Sequence, residues 1–332
     1  MHLLFIANRN TSLIAQMNKT DFKLVYLATA DFALPSLQAL VEGGYNVRAV
    51  VTMPDKPAGR GMKLQESNIK RYAQSVGIEV LQPVKLKDEI FVNRLREIAP
   101  DLGIVVAFRM LPEIVWSLPR LGTINLHGSL LPRYRGAAPI HWAVINGDTQ
   151  TGVTTFRLKH ELDTGDIILQ TRMPIAPDET TGQVHDRMMH LGAKTLLKTV
   201  DLFLETEPSV TAQETMDEPP TEAPKLTKEN TKVNWKQPAR ELYNFVRGLY
   251  PYPCAWTELR LPLLDEAITY KLHACEVIEP TADHLGKAVG EVVIIGKKHL
   301  DVVCGEGVLR ITQLQPAGKK SMPTSAYLNG LR

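Results

Sequence analysis

The chain has 332 residues, 44% of them apolar, more than one compact core usually holds, so two domains are expected. A formal net charge of +2 is too mild to demand a nucleic-acid partner, although the sum can hide a basic face on one domain and an acidic face on the other. Three cysteines, Cys254, Cys275 and Cys304, lie far apart with no C-x-x-C pair, which argues against a disulfide framework or a zinc site, and no apolar run approaches the ~20 residues that cross a bilayer.

The cysteines read as buried thiols of a reducing compartment. The first sixteen residues make a poor signal peptide, having no basic start and no sustained apolar stretch. A second methionine, Met17, stands just before the first convincing strand. Residues 1–20 are therefore set outside the fold, as a disordered extension or a start-site artefact. From Lys23 to Ala28 a β-rich run leads through Asp31 to the helical pattern of Phe32, Leu37, Leu40 and Val41, which ends at Gly43-Gly44. Asn46 to Met53 is a near-continuous apolar strand, giving β-α-β. Strand-like runs return at Glu79 to Leu81, Leu102 to Ala107 and Thr123 to Leu126, separated by amphipathic stretches such as Asp88 to Ile98. Strands apolar on both faces and alternating with helices predict a mostly parallel, Rossmann-like α/β sheet.

Pro139 to Asn146 reads as a short helix, Val153 to Leu158 and Ile167 to Met173 as strands, and Thr180 to Leu204 as a long helix closing the first domain. The chain then becomes rich in Pro, Glu and Thr, the composition of an extended, solvated connection. Beyond it, Ala239 to Leu249 is an amphipathic helix, and short alternating runs broken by Gly and Pro predict a small β-barrel or sandwich. The division expected is 21–206 for the α/β domain, 207–228 for the linker and 229–332 for the β domain.

The chemistry concentrates in Ile124 to Ile140, INLHGSLLPRYRGAAPI. Asn125 and His127 stand two apart at the carboxyl end of a predicted strand, so their side chains share a face and point toward the crevice where open α/β sheets bind ligands. Downstream, Leu162-Asp163-Thr164-Gly165-Asp166 puts a carboxylate in a turn between strands. An amide, an imidazole and a carboxylate on strand ends suit acyl-type transfer without a covalent intermediate. Each alone is more often a turn former or structural hydrogen-bonder.

The pattern N-x-H-x-S-L-L-P-x-Y-R-G followed by L-D-T-G-D resembles the folate-dependent formyltransferase family. Val50 to Leu64, Arg135 to Asp148, Val246 to Trp256 and Leu314 to Met322 are similar to the branch whose acceptor is charged initiator tRNA, and the resemblance runs from about Lys23 to the C-terminus. It implies a formyltransferase that moves a formyl group from 10-formyltetrahydrofolate, its co-substrate, to the α-amino group of methionine on initiator tRNA, with no metal. The matching catalytic residues are Asn125, His127 and Asp163, and the matching folate-contacting loop is Ser129, Leu130, Leu131 and Pro132. The resemblance also implies an oligonucleotide-binding (OB-like) barrel at the C-terminus, cytoplasmic location and a monomer without membrane association.

Pro54 to Leu64 carries Lys56, Arg60 and Lys63 among glycines, and a basic loop beside an active site can grip an acceptor stem. By resemblance, Arg60 leads that contact. A modest basic excess after Lys225 adds Arg240, Arg247, Lys297, Lys298, Lys319 and Lys320 as candidates for the tRNA backbone, of which Arg247, Lys319 and Lys320 are foremost. Two departures stand out. Ala28-Thr29-Ala30-Asp31 replaces the usual G-T-P-D, and Val106 to Pro112 is one residue short with Arg109 where glycine is usual. In the family the second loop helps hold the pterin, and the change implies Arg109 closing over the ligand or shifting its geometry. Competing readings are a formyltransferase for an amino-sugar nucleotide and a catalytically inert RNA-binding relative. A nicotinamide oxidoreductase is disfavoured because Gly59-x-Gly61 runs on to Leu64 without the third glycine.

Overall fold

A computed structural model describes residues 17–58, 63–262 and 264–331, with no side-chain description for 56–64. The expectation for the N-terminal extension lies largely outside the described residues. The chain divides into two compact units. One comprises the residues up to Leu126 with Thr155–Leu158 and Ala193–Thr211, and the other His127–Thr154, Lys159–Gly192 and Ala212–Arg332.

The first unit opens β1 (Lys23–Ala28), α1 (Leu34–Glu42), β2 (Asn46–Val51), as the apolar pattern predicts. A small hairpin follows, β3 (Lys56–Ala58) with β4 (Lys63–Gln65), then α2 (Asn68–Ser75) and β5 (Glu79–Leu81). Next come α3 (Glu89–Ile98), β6 (Leu102–Val106), α4 (Glu113–Trp116) and β7 (Thr123–His127), whose last residue belongs to the second unit. The strand order is β5-β2-β1-β6-β7 and every pairing in it is parallel.

Helix α3 illustrates why these residues adopt these elements. Asp88 at its N-cap accepts from the backbone N–H of Ile90 and Phe91, satisfying donors that a helix start leaves orphaned. Phe91, Val92, Leu95 and Ile98 then bury one face against Val25, Leu27, Val51 and Val105 of the sheet. Strand numbers run outward in opposite directions from β1 and β6, so the topological switch point lies between their carboxyl ends, where open sheets of this kind bind ligands. Thr29 follows β1 there, and Ala107 to Arg109 follow β6.

The second unit continues with β8 (Arg135–Gly136), α5 (Pro139–Ile145) and β9 (Gln150–Arg157), whose final residues return to the first unit. β10 (Ile167–Pro174) neighbours β9, and the long α6 (Thr181–Glu205) starts here. The Pro/Glu/Thr-rich segment contains β11 (Glu222–Ala223), paired in parallel with β8. Most of the segment is exposed, as its composition predicts, but Pro208, Gln213 and Ala223 are buried.

The remainder of the second unit is α7 (Ala239–Leu249), β12 (Ala255–Leu259), β13 (Ile268–Ile278), β14 (Val292–Ile295), β15 (His299–Val303), β16 (Val308–Pro316), β17 (Met322–Pro323) and α8 (Thr324–Asn329). The sheet is antiparallel in the order β12-β13-β16-β15-β14, with β17 added beside β16. The apolar stripe of α7, Ala239, Leu242, Val246 and Leu249, packs into a core with Tyr270, Leu272, Leu300 and Ile311. All three cysteines are buried and free, as composition suggested. No described helix is long and apolar enough to cross a membrane.

Candidate active site

β7 is buried along its length except at Asn125, which is half-exposed. His127, the alternate residue at the carboxyl end, is only 7% exposed. Its Nε2 lies 2.9 Å from the carbonyl oxygen of Tyr134. A carbonyl oxygen only accepts, so Nε2 carries a hydrogen and the ring turns its Nδ1 edge toward Asp163. Asp163 Oδ2 stands 3.8 Å from that Nδ1, within ion-pair range but too far for a direct hydrogen bond. The same oxygen accepts from the backbone N–H of Gly136 at 2.8 Å. Structure thus brings His127 and Asp163 together, with Asn125 two residues back along the strand.

The turn after His127 is held by hydroxyls and an amide. Ser129 is fully buried and its Oγ donates to the carbonyl of Arg133. Thr154 Oγ1 donates to the carbonyl of Ser129 and accepts from the N–H of Leu131. Gln170 Nε2 donates to the carbonyl of Leu131. Leu131 and Pro132, joined by a cis peptide, are buried as well, and of the four residues matched to the folate loop only Leu130 keeps partial exposure. Their side chains are spent on the fold.

Asp163 has φ 54°, a left-handed conformation that costs a non-glycine residue roughly 1–2 kcal/mol. Gln213, from the predicted linker, offsets this. Only 3% exposed, it donates through Nε2 to the carbonyls of Asp163 (2.9 Å) and Gly165 (2.8 Å), and its Oε1 accepts from Arg135. Thr221 adds a second tie, accepting from the N–H of Tyr134 through Oγ1 and from that of Arg135 through its carbonyl. Where β11 crosses β8, a Cβ on Gly136 would sit 2.7 Å from the carbonyl oxygen of Ala223, and Gly136 has φ +121°, so glycine is required. Sequence reading missed Gln213 and Thr221. Their one visible signal was Gly136 itself, since a glycine between charged and apolar residues hints at close backbone approach.

The other candidate residues divide. Arg109 closes over protein rather than open space, its guanidinium donating to the carbonyls of Pro83 (2.7 Å) and Val84 (3.0 Å). At the switch point of the first unit, Arg109 Nε and Thr29 Oγ1 are buried without a hydrogen-bond partner among the described residues. Lys56 and Lys63 lie on the two strands of the β3–β4 hairpin, whereas Arg60 lies outside the described residues. Lys319 and Lys320 are exposed in the turn before β17, and Lys297 and Lys298 at the tip between β14 and β15. Arg240 is exposed on α7. Arg247 does not meet its expectation of a surface contact. It is 7% exposed, donates to the carbonyl of Glu179 and to Asn244 Oδ1, and is held below the usual guanidinium pKa by burial. Helical periodicity puts it two turns beyond exposed Arg240, off the apolar stripe, and its burial comes from the segment around Glu179.

Residues 22–200 match the formyl transferase family, and residues 225–332 match the formyl transferase C-terminal domain; the chain belongs to the formyl transferase family. It is 52% identical over 318 residues to the methionyl-tRNA formyltransferase of Porphyromonas gingivalis, covering 95% of this chain and 97% of that protein. The enzyme of the same name from Bacteroides fragilis is likewise 52% identical over 318 residues, covering 95% and 96%. Among solved structures, the N-formyltransferase from Helicobacter canadensis in complex with folinic acid and dTDP-3-aminofucose aligns with a TM-score of 0.62 at 17% identity, over 87% of this chain and 98% of that one. At that identity the likeness speaks for the fold.

Proposed function

We propose that this enzyme transfers the formyl group of 10-formyltetrahydrofolate to the α-amino group of methionyl initiator tRNA, acting as a cytoplasmic monomer. The observation that carries the chemistry is the buried His127–Asp163 pair at the end of β7, 3.8 Å apart. The acceptor rests on 52% identity across 95% of the chain to an enzyme named for it. In the reaction the neutral amine attacks the formyl carbon, a C–N bond forms, and the carbonyl oxygen becomes an oxyanion. The C–N10 bond then breaks as the amine loses a proton and N10 gains one.

Asn125 donates to the developing oxyanion, a role whose loss typically costs ~10²–10³ in rate. His127 as imidazolium supports that charge and helps deliver the proton to N10. Asp163 stabilises the imidazolium, and its distance from Nδ1 suits a relay through an intervening group rather than direct transfer. The Ser129–Pro132 turn, tied down by Thr154 and Gln170, meets the folate with backbone and with Leu130. Thr29 Oγ1 and Arg109 Nε, beyond the carboxyl ends of β1 and β6 and without a hydrogen-bond partner among the described residues, are suited to a ligand's polar edge. Lys56, Arg60 and Lys63 of the Pro54 to Leu64 segment and Lys319 and Lys320 before β17 contact tRNA phosphates.

The test offers labelled 10-formyltetrahydrofolate with charged initiator tRNA, charged elongator tRNA and an amino-sugar nucleotide in parallel. Label should pass to initiator Met-tRNA. Transfer to the sugar nucleotide alone would sink the reading.

A further inference from the structure

The β3–β4 hairpin, with Lys56 paired opposite Gln65 and Ala58 opposite Lys63, is flanked by two carboxylates. Asp55 immediately precedes its first strand and Glu66 immediately follows its second. Lys70 Nζ bonds to both, 2.6 Å from Asp55 Oδ2 and 2.8 Å from Glu66 Oε1. Lysine is seldom buried unless paired, yet Lys70 is 8% exposed. Local structure puts it there. Ser67 caps α2 by accepting from the Lys70 N–H, which holds Lys70 in the first turn, one turn beyond Glu66. Gln82, just after β5, donates to Asp55 Oδ1 (2.9 Å) and to the carbonyl of Met53 (2.8 Å). The Asp55 carboxyl is accordingly held below the usual carboxylate range by the Lys70 and Gln82 hydrogen bonds. A groove lined by Asp55, Gln65, Glu66 and Arg71 opens beside this neck.

We infer that Lys70 is a positioning residue: by clamping both legs of the hairpin at its neck, it sets the direction in which the hairpin meets the acceptor end of tRNA. This rests on the function proposed above. The β3–β4 ladder joins the two legs to each other, and Lys70 joins both of them to α2. Bonded to both, and with Asp55 further fixed by Gln82 to the end of the sheet, the hairpin inherits the orientation of α2 and the β2–β5 edge.

The experiment measures steady-state formylation with Lys70→Met, Lys70→Arg and the triple variant Asp55→Asn/Glu66→Gln/Lys70→Met. The triple variant leaves no unpaired buried charge, so it folds even where Lys70→Met does not. Relative to wild type, Lys70→Met makes the neck more negative and the triple variant makes it more positive, which separates geometry from charge. The expected result is a KM for Met-tRNA raised about tenfold in both, with kcat and the KM for 10-formyltetrahydrofolate within about twofold of wild type, the signature of lost binding rather than lost chemistry. Lys70→Arg, which can also bridge two carboxylates, should restore most of the tRNA affinity. If the triple variant binds tRNA as well as wild type or better, the effect is electrostatic and the clamp is refuted. A parallel rise in the folate KM would also refute it. Failure of the wild-type enzyme on Met-tRNA would overturn the parent reading and this one with it, whereas unchanged variants overturn this one alone.

Discussion

Replacing Gln213 by leucine removes one buried amide whose hydrogen-bonding capacity is fully used. Two N–H donations, to the carbonyls of Asp163 and Gly165, disappear together with the acceptor for Arg135. Each buried carbonyl left without a donor costs roughly 1–3 kcal/mol, so the pair outweighs the roughly 1–2 kcal/mol that Asp163 spends on its left-handed backbone. Without that offset the Asp163 turn relaxes, and the carboxylate leaves its place beside His127. If the active arrangement must then be recovered at the cost of the backbone strain, kcat falls roughly 5- to 30-fold at about 1.4 kcal/mol per decade. Gln213→Glu keeps the acceptor for Arg135 and loses both donors, so it should fall comparably. The assay is single-turnover formyl transfer with both substrates saturating, alongside thermal melts. A variant that melts earlier yet turns over within about twofold of wild type would show that Gln213 braces the fold without positioning Asp163.

Asn125→Ala and His127→Ala should each lower formyl transfer at least about 100-fold, the scale for losing a donor at a developing oxyanion, with circular dichroism and melting near wild type for the half-exposed Asn125; near-normal turnover in both would refute the assigned chemistry. Asp301 in the C-terminal sheet is fully buried between Arg310, which it binds through both oxygens, and His284. Asp301→Asn should therefore destabilise the protein by about 3–5 kcal/mol, as expected for breaking a buried charge cluster, and denaturant unfolding that shows no shift would disprove this. Burial pushes the thiols of Cys254 and Cys275 up and that of Cys304 to about 11. Thiol reagents at neutral pH should thus label none of the three in the native protein and all three in denaturant, and fast native labelling would contradict the packing described.

Where local pattern decides structure, the sequence was legible. Doubly apolar runs became the parallel strands β1, β2, β6 and β7, and the amphipathic stretch Asp88 to Ile98 became α3 with its cap. Thr180 to Leu204 differs from α6 by one residue at each end, because its apolar spacing is sustained over many turns. Composition described the average exposure of the segment after α6 and missed its few anchored residues. Proline, glutamate and threonine describe an average preference for solvent, and a single buried amide or a two-residue strand does not alter that average. Arg247 was misjudged for a related reason: its charge suggested a surface role, while its position on the helix put it against Glu179 and Asn244.

What the sequence by itself determined was the alternation of strands and helices, the strand end bearing Asn125 and His127, and the turn bearing Asp163, because each depends on neighbours within a few residues. Only the tertiary structure decided that the His127 ring shows its Nδ1 edge to Asp163, that Gln213 from fifty residues downstream holds that carboxylate's backbone, and that Lys70 joins both legs of a hairpin. These depend on distant segments arriving within hydrogen-bond reach, and no periodicity along the chain encodes a distance across it.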